Sequence, residues 1–311
     1  MKIFSGTSNP AFSESVSSHL GKPLGQMKVS RFADGETFVE IQENVRGSSV
    51  FVIQSTCPPV NENYMELFLI LDALKRASAS EINLVMPYYG YARQDRKSAP
   101  RVPISAKCMA DMCSVAGAHR LVVMDLHSAQ IQGFFNKPVD NLFAGPSLAE
   151  AWLARHKSKK ITIVSPDAGG MERARQFAKK IEGADIAMID KRREGPNKAK
   201  AFHLVGKVEG QTTILVDDII DTAGTLCEAS SKLLEYGAKE VFAIVTHPLF
   251  SGSACEAIEK SPIKEVLVTN TIPLSEEALK SRKITSINLA PLVAEAIQRI
   301  ANKNSISTLF K

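Results

Sequence analysis

The chain has 311 residues, of which 44% are hydrophobic and 23% are charged, and its formal net charge at pH 7 is +5. This length suits two domains of about 150 residues, and the composition is ordinary for a globular protein. The small excess of 38 basic over 33 acidic residues fits small polyanionic substrates. It disfavours a nucleic-acid partner, because no basic run is interleaved with aromatic residues.

Cysteine usage and the N-terminus predict a cytoplasmic protein with no membrane partner. The cysteines are odd in number and show no C-x-x-C spacing, so we expect reduced thiols and neither disulfides nor metal ligands. They are Cys57, Cys108, Cys113, Cys227 and Cys255. The first seven residues are too polar for a signal peptide, and no apolar run approaches the roughly 20 residues of a membrane helix.

In the first half, short apolar runs alternate with helical patterns. Residues 50–54 predict a strand, and residues 82–86 predict another that Pro87 ends. The helix between them should bury side chains that recur at i, i+3, i+4 and i+7. These are Leu67, Ile70, Leu71 and Leu74. The alternation predicts an α/β fold with mainly parallel strands.

The middle of the chain carries the predicted domain boundary. Residues 121–124 predict a strand, the segment around Gln130 looks helical, and a helix is expected from Ser147 to His156. We place the boundary between Asn141 and Pro146, which gives domains of residues 1–143 and 144–311.

Two ligand candidates follow apolar runs directly. His127 and Asp167 each fall just beyond such a run, at the carboxyl end of a strand where ligands gather in open α/β sheets. A lone histidine after a strand is more often structural, so the sequence pattern alone leaves the role of His127 open.

The segment 214–225 is the most informative part of the second half. An apolar strand from Thr213 to Val216 runs into acidic residues, then into a small-residue turn, and a helix should begin near Thr225. Backbone N–H groups and the positive end of a helix converge on an anion in such an arrangement. Carboxylates beside a phosphate need other partners, and ribose hydroxyls or Mg²⁺ would suit them. The candidate residues are Asp217, Asp218, Asp221, Thr222, Ala223, Gly224 and Thr225.

A simpler alternative is that the acids merely end a buried strand while Asp221 caps the next helix. That alternative does not account for the doubled Asp together with the Thr-Ala-Gly-Thr turn. The segment therefore predicts a site for a phosphorylated sugar.

The second half repeats the pattern of the first. The helix after the turn should bury Leu226, Leu233 and Leu234 and end at Gly237, and residues 241–245 predict the next strand. The two halves look like diverged copies of one strand–loop–helix–strand unit. The first copy carries Ser55-Thr56-Cys57-Pro58-Pro59 where the second has its acidic loop.

The stretch 191–198 is predicted to be a loop. It is charged, it is interrupted by Gly195 and Pro196, and it lacks an apolar face. On composition alone it is either a solvated basic turn or a mobile lid over a site.

The segment 214–225 resembles the ribose-phosphate loop of the phosphoribosyltransferase superfamily, and five further motifs resemble the ribose-phosphate pyrophosphokinases. These motifs are RFADGE at 31–36, YARQDRK at 91–97, DLHSAQIQGFF at 125–135, SPDAGG at 165–170 and IDKRR at 189–193. The resemblance covers essentially the whole chain. It implies two tandem phosphoribosyltransferase-like domains, each a mainly parallel sheet flanked by helices.

The resemblance also implies a reaction, in which the anomeric hydroxyl of ribose 5-phosphate attacks the β-phosphorus of Mg-ATP. The products would be 5-phosphoribosyl 1-pyrophosphate and AMP, for nucleotide, histidine and tryptophan biosynthesis. Implied roles are ATP binding by Phe32, Asp34, Gly35, Glu36, Arg93 and Gln94, Mg²⁺ binding by His127 and Asp167, catalysis by Lys191 and Arg193, and ribose 5-phosphate binding by Arg193 and residues 217, 218 and 221–225. The segment 95–101 is about one residue shorter than the common bacterial form and carries a proline.

The same resemblance implies how the protein is regulated and how it assembles. It implies a homohexamer that phosphate activates and ADP inhibits, with Arg46, Ser305 and Phe310 at a regulatory phosphate site. The alternatives are a phosphoribosyltransferase, which needs one such domain and no ATP site, and a non-catalytic synthetase-associated subunit. The duplicated half disfavours the first, and the presence of Lys191, Arg193, His127 and Asp167 disfavours the second.

Overall fold

The computed structural model describes residues 1–157, 160–193 and 200–310, and at residues 191–193, 200–202 and 310 it describes the backbone alone. The chain forms two compact units. The first comprises Met1–Phe143, Thr271–Pro273 and Leu289–Lys311, and the second comprises Ala144–Asn270 and Leu274–Asn288.

The first unit is built on a parallel sheet. Its elements are β1 (Lys2–Ser5), α1 (Pro10–Leu20), β2 (Met27–Arg31), β3 (Thr37–Ile41), β4 (Ser49–Ile53), α2 (Val60–Arg76), β5 (Glu81–Met86), α3 (Ser105–Ala116), β6 (Arg120–Met124), a 3-10 helix (Ala129–Phe134) and β7 (Val139–Leu142). The sheet order is β1-β4-β5-β6-β7 and every pair is parallel. Strands β2 and β3 form a separate antiparallel hairpin.

The second unit has a larger sheet. Its elements are α4 (Gly145–Arg155), β8 (Ile161–Ser165), α5 (Met171–Ala178), β9 (Asp185–Arg193), β10 (Lys200–Val205), β11 (Thr212–Ile220), α6 (Gly224–Glu235), β12 (Glu240–Pro248), α7 (Ala254–Lys260), β13 (Val266–Thr269), α8 (Glu276–Lys280) and β14 (Ile284–Ile287). The order is β10-β9-β8-β11-β12-β13-β14, in which β9 and β10 pair antiparallel and the other pairs are parallel. The α/β prediction with mainly parallel strands is confirmed.

The C-terminal elements, α9 (Ala290–Ala301) and a 3-10 helix (Ser307–Phe310), cluster with the first unit. Helix α9 packs on α1, and it buries Val293, Ala294 and Ile297. The predicted second domain, residues 144–311, included this segment, so the compact units differ from the predicted domains at residues 271–273 and 289–311.

The buried faces of two helices test the predicted periodicity. The four predicted side chains of α2 are all fully buried. In α6, Leu226 and Leu233 are buried, but Leu234 is 39% exposed, so the prediction for Leu234 is wrong. One residue turns a helix by about 100°, which carries Leu234 off the face that Leu226 and Leu233 share.

The prediction of a loop at residues 191–198 is wrong for its first three residues, which end β9. The backbone of 191–193 pairs with β10, with Arg193 opposite Lys200 and Lys191 opposite Phe202. Residues 191–193 are held as a strand by hydrogen bonds to β10, which lies further along the chain. Their own composition therefore did not indicate a strand. Residues 194–198 lie outside the described residues.

All five cysteines are free thiols. Among the described residues, no helix has both the length and the apolar character that a bilayer crossing requires.

Candidate functional site

Two adjacent carboxylates lie near the end of the central strand of the larger sheet. Strand β11 lies between β8 and β12, and residues 212–216 are buried along it. Asp218 is buried, while Asp217 is half-buried. The backbone N–H of Asp218 donates to Oδ1 of Asp217 at 2.9 Å, which fixes the first carboxylate against the backbone of the second.

Arg173, on the first turn of α5, bridges both carboxylates. Its Nη1 lies 3.0 Å from Oδ1 of Asp217, and its Nη2 lies 3.1 Å from Oδ1 of Asp218. Arg173 is not among the site residues predicted from the sequence. The only available signal was a basic residue in the helix that follows the Gly169–Gly170 pair, because the contact joins positions far apart in the chain.

The pKa of Asp217 is raised to about 8. Burial is the main cause and the neighbouring charge of Asp218 adds to it, while Arg173 lowers the pKa. A carboxyl group that keeps its proton near neutral pH is poised to exchange that proton for a cation. The acidic pair therefore offers oxygen ligands to a divalent ion or acceptors to sugar hydroxyls.

The raised pKa makes a stability prediction. Because the folded protein binds more protons than the unfolded chain between about pH 4 and 8, the free energy of unfolding should fall as pH rises through this window. Asp217→Asn, which cannot ionise, should lose this part of the decline. Urea unfolding of both proteins at pH 5, 6, 7 and 8 measures the difference. Arg173→Met should extend the decline to higher pH, and parallel curves for wild type and Asp217→Asn would contradict the assignment.

The turn after β11 opens directly into a helix. Ala223 has a left-handed φ of +61°, and α6 begins at Gly224 with no side-chain cap at its N-terminus. The carbonyl of Asp221 accepts from the N–H of Ser251 at 3.0 Å, which holds the turn in place. The first N–H groups of an uncapped helix and its positive end favour an anion. The N-cap residue of α6 is therefore Ala223 and not Asp221.

Gly224 has open space where a side chain would project. A Cβ built there would meet nothing nearer than Oγ1 of Thr222 at 3.9 Å. Thr222, Gly224 and Thr225 are exposed. The turn is therefore open to solvent at Gly224.

The predicted metal ligands lie at strand ends, where the sequence placed them. His127 is exposed and follows β6; Asp167 is exposed and follows β8. Oδ1 of Asp167 accepts from the N–H of Gly170 at 2.8 Å, and Oγ of Ser165 donates to the Asp167 carbonyl at 2.6 Å. Across residues 1–157, 160–193 and 200–310, no group of three or more His, Cys, Asp or Glu side chains is arranged to hold a metal by itself.

The segment 32–36 is the turn of the β2–β3 hairpin. The N–H of Phe32 donates to the Glu36 carbonyl at 2.8 Å, and the N–H of Glu36 donates to Oδ1 of Asp34 at 3.1 Å. Gly35 adopts φ +96°, which favours glycine. The side chain of Phe32 is 55% exposed and meets Phe38 edge-on, with ring centroids 5.6 Å apart. The hairpin presents an aromatic face to solvent.

Arg93 and Gln94 lie between β5 and α3, and both are exposed. Gln94 is anchored at the start of α3, because its Oε1 accepts from Oγ of Ser105 and its carbonyl accepts from the N–H of Ala106 at 3.2 Å. The side-chain amide nitrogen of Gln94 is a donor that these bonds do not use.

The remaining predicted residues lie at the end of β9, between β3 and β4, and after α9. Lys191 and Arg193 lie at the end of β9, where the structure describes the backbone alone. Arg46 is exposed, and its N–H donates to Oδ1 of Asn44 at 3.0 Å. Oγ of Ser305 lies 3.1 Å from Oγ of Ser307, and the side chain of Phe310 lies outside the described residues.

Comparison with known proteins gives full-length similarity. The sequence profile of the N-terminal domain of ribose phosphate pyrophosphokinase matches residues 1–117, and that of the phosphoribosyl synthetase-associated domain matches residues 182–311. Ribose-phosphate pyrophosphokinase of Caldanaerobacter subterraneus is 54% identical over 100% of this chain and 98% of its own, and that of Marinomonas sp. is 51% identical over the same shares.

A crystal structure of phosphoribosylpyrophosphate synthetase from Mycobacterium smegmatis superimposes with a TM-score of 0.92 at 38% identity. The match covers 97% of this chain and 99% of that one.

Proposed function

Because this chain belongs to the ribose-phosphate pyrophosphokinase family and is an enzyme of phosphoribosyl pyrophosphate synthesis, we propose that its substrates are Mg-ATP and ribose 5-phosphate. The pyrophosphoryl group would pass to the anomeric hydroxyl, giving 5-phosphoribosyl 1-pyrophosphate and AMP. The observation that carries the proposal is the acidic pair of β11 followed by an uncapped helix N-terminus.

Ribose 5-phosphate binds along this segment. The turn 221–225 holds the 5-phosphate through backbone N–H groups and the helix end. Asp217 and Asp218 accept from ribose hydroxyls, since carboxylates are acceptors for such donors. Arg173 keeps the two acids side by side, with one guanidinium nitrogen on each.

Side chains that follow strands would offer ligands to Mg²⁺ in each unit: Asp167 and the acidic pair in the second, and His127 in the first. Carboxylate oxygens are ligands that Mg²⁺ prefers, and the ion is commonly held by one or two carboxylates with substrate phosphates and water completing the shell. When bound, the ion would neutralise charge on the phosphates of ATP.

ATP binds through the β2–β3 turn and the segment that carries Arg93 and Gln94. The exposed ring of Phe32 offers a stacking face for adenine. The carboxylates of Asp34 and Glu36 accept hydrogen bonds from the amino group of adenine. Gly35 allows the turn between them, because its φ of +96° favours glycine. Arg93 pairs with phosphate oxygens, for which a guanidinium is well shaped.

Catalysis rests on alignment and charge stabilisation. Phosphoryl-type transfers need little covalent help from the protein. Lys191 and Arg193 would stabilise the charge that builds on the pyrophosphoryl group, and Arg193 would also contact ribose 5-phosphate.

One assay separates this function from its rivals. Purified protein should release AMP from ATP only when ribose 5-phosphate is added, with phosphoribosyl pyrophosphate formed in equal amount. A phosphoribosyltransferase would not form AMP under these conditions, and a non-catalytic subunit would form neither product. Equal release of AMP without the sugar phosphate would contradict the proposed reaction.

We also propose a homohexamer that phosphate activates and ADP inhibits, working in the cytoplasm for nucleotide, histidine and tryptophan biosynthesis. The five free thiols support a reducing compartment. Arg46, Ser305 and Phe310 would take part in the regulatory phosphate site.

The C-terminal segment gives a regulatory prediction. The carbonyl of Ser305 accepts from Nη1 of Arg299 at 3.0 Å, so the segment begins from a fixed point on α9. Deletion of residues 305–311 should abolish activation by phosphate and keep basal turnover. Initial rates at increasing phosphate, with deletion of Lys311 alone as the control, measure this. Unchanged activation after the longer deletion would end the proposal.

A further inference from the structure

Residues in the first turn of α2 contact both segments that we assign to ATP. Asn61 accepts from the hydroxyl of Tyr91, Glu62 pairs with Arg31, and the Tyr64 hydroxyl donates to the Gly90 carbonyl at 2.8 Å. One helix turn thus supports the Arg93–Gln94 segment on one side and the β2–β3 hairpin on the other.

The Arg93–Gln94 segment is held tightly just before its first functional residue. The N–H of Gly90 donates to Oγ1 of Thr56 at 2.8 Å, and a Cβ at Gly90 would lie 2.5 Å from the Thr56 carbonyl oxygen. No larger residue fits there. Tyr91 then adopts φ +62°, a conformation that costs a non-glycine residue free energy and persists only where its surroundings impose it.

Contacts of Tyr91 supply that support. Its ring packs on Tyr64, with centroids 5.8 Å apart, and its hydroxyl reaches Asn61. Tyr64 is itself only 3% exposed, so it forms a rigid base. Because only Ala92 separates Tyr91 from Arg93, the direction in which the chain leaves Tyr91 sets where Arg93 begins.

The hairpin is held by a second contact from the same turn. Nη1 of Arg31 lies 2.5 Å from Oε2 of Glu62 and also donates to the Gly35 carbonyl at 3.2 Å. One guanidinium therefore links α2 to the turn that carries Phe32. Both side chains of this ion pair are about half exposed, at 48% and 49%, so solvent screening keeps its contribution small.

We propose that Asn61 and Glu62 are positioning residues for nucleotide binding, which hold the two ATP segments in their binding geometry without touching the nucleotide. This inference rests on the proposed assignment of those segments to ATP. It predicts changes in ATP affinity that leave ribose 5-phosphate affinity alone.

The clearest variants remove one contact each. Tyr91→Phe keeps the ring and removes the hydroxyl, and Asn61→Ala removes its acceptor. Each should raise KM for ATP about three- to ten-fold, the factor that one hydrogen bond commonly contributes, with KM for ribose 5-phosphate unchanged. The double variant should show no more than the larger single effect, because both changes break one bond. Glu62→Ala should raise KM for ATP about two- to four-fold.

Two controls separate positioning from general destabilisation. Asn61→Asp retains the acceptor oxygen for the Tyr91 hydroxyl, so its KM for ATP should stay near that of wild type. Asp72→Ala breaks a matched ion pair at the other end of α2, where Nε of Arg76 lies 2.6 Å from Oδ2 of Asp72, and should leave KM for ATP unchanged. Unchanged KM for ATP in Tyr91→Phe and Asn61→Ala would overturn the proposal, as would equal increases in Asn61→Asp or Asp72→Ala.

Arg93→Ala distinguishes failure of this inference from failure of the proposed function. If Arg93→Ala raises KM for ATP while Tyr91→Phe and Asn61→Ala do not, the ATP assignment stands and the positioning role is overturned. If Arg93→Ala leaves KM for ATP unchanged, the assignment of this segment to ATP is overturned, and the positioning role with it.

Discussion

Lys191→Ala should lower kcat about 10³-fold or more, with only modest changes in KM for ATP and ribose 5-phosphate. Cations that stabilise the transition state of related phosphoryl transfers contribute factors of about 10³ to 10⁵. A contact made only in the transition state lowers kcat and leaves KM nearly unchanged when it is removed. Steady-state kinetics in which one substrate is varied while the other is saturating measure kcat and KM for each substrate.

Arg192→Ala is the matched control for this change. Residues 191–193 end β9 and pair with β10, and alternate residues of a strand belong to the same face of the sheet. Residues 191 and 193 therefore share one face, and residue 192 belongs to the other. Arg192→Ala removes the same charge from the same strand and should lose far less activity.

The opposite result has a definite meaning. If Lys191→Ala keeps more than about a tenth of the wild-type kcat, the end of β9 does not supply the catalytic cation. The cations that stabilise the transferring group must then be sought at Arg93 or Arg101. Both are exposed residues of the first unit.

The spacing of apolar residues in the sequence predicted the helices and strands that are buried on one face or on all sides. The i, i+3, i+4, i+7 pattern of α2 matches its buried face, and the strands at residues 50–54, 82–86, 121–124 and 241–245 all form. Buried elements must be apolar at fixed spacing, so they leave a signal in the sequence. The fold class and the enzyme family, both expected from the motifs, are confirmed by the full-length relatives and the superposition.

Elements that lie at the surface left a weaker signal. Strands β2 and β3 bury none of their residues completely, and their hairpin was not predicted, although its turn carries the RFADGE motif. The charged end of β9 was mistaken for a loop because its pairing partner, β10, follows only after residue 199. Half-exposed strands depend on neighbours more than on their own composition.

The same distinction applies within the site. The order strand, acids, small turn and helix is local, so the sequence was sufficient to predict it. Arg173 contacts Asp217 and Asp218 of β11 from helix α5. No local sequence pattern predicts that contact. The raised pKa of Asp217 depends on burial and on these two neighbours, so it too appears only in the folded protein.

Gly224→Val should raise KM for ribose 5-phosphate about 100-fold or more and leave ATP binding intact. The 5-phosphate is assigned to the N–H groups of the turn and the start of α6, and hydrogen bonds to a charged group contribute about 1.5 to 3 kcal/mol each. A branched side chain at residue 224 would keep the phosphate from the backbone and remove two or more of these bonds.

The structure makes this a test of the ligand and not of the fold. A Cβ at Gly224 has 3.9 Å of clearance from its nearest neighbour, Thr222, and the residue has no positive φ, so the variant protein should fold normally. Gly133→Val is the control, because Gly133 is also exposed, has open space around it and has no positive φ. Isothermal titration with ATP and with ribose 5-phosphate separates the two affinities. Loss of ATP binding with sugar-phosphate binding retained would place the wrong substrate at this turn, whereas equal losses in Gly133→Val would show that the effect is not specific to the turn.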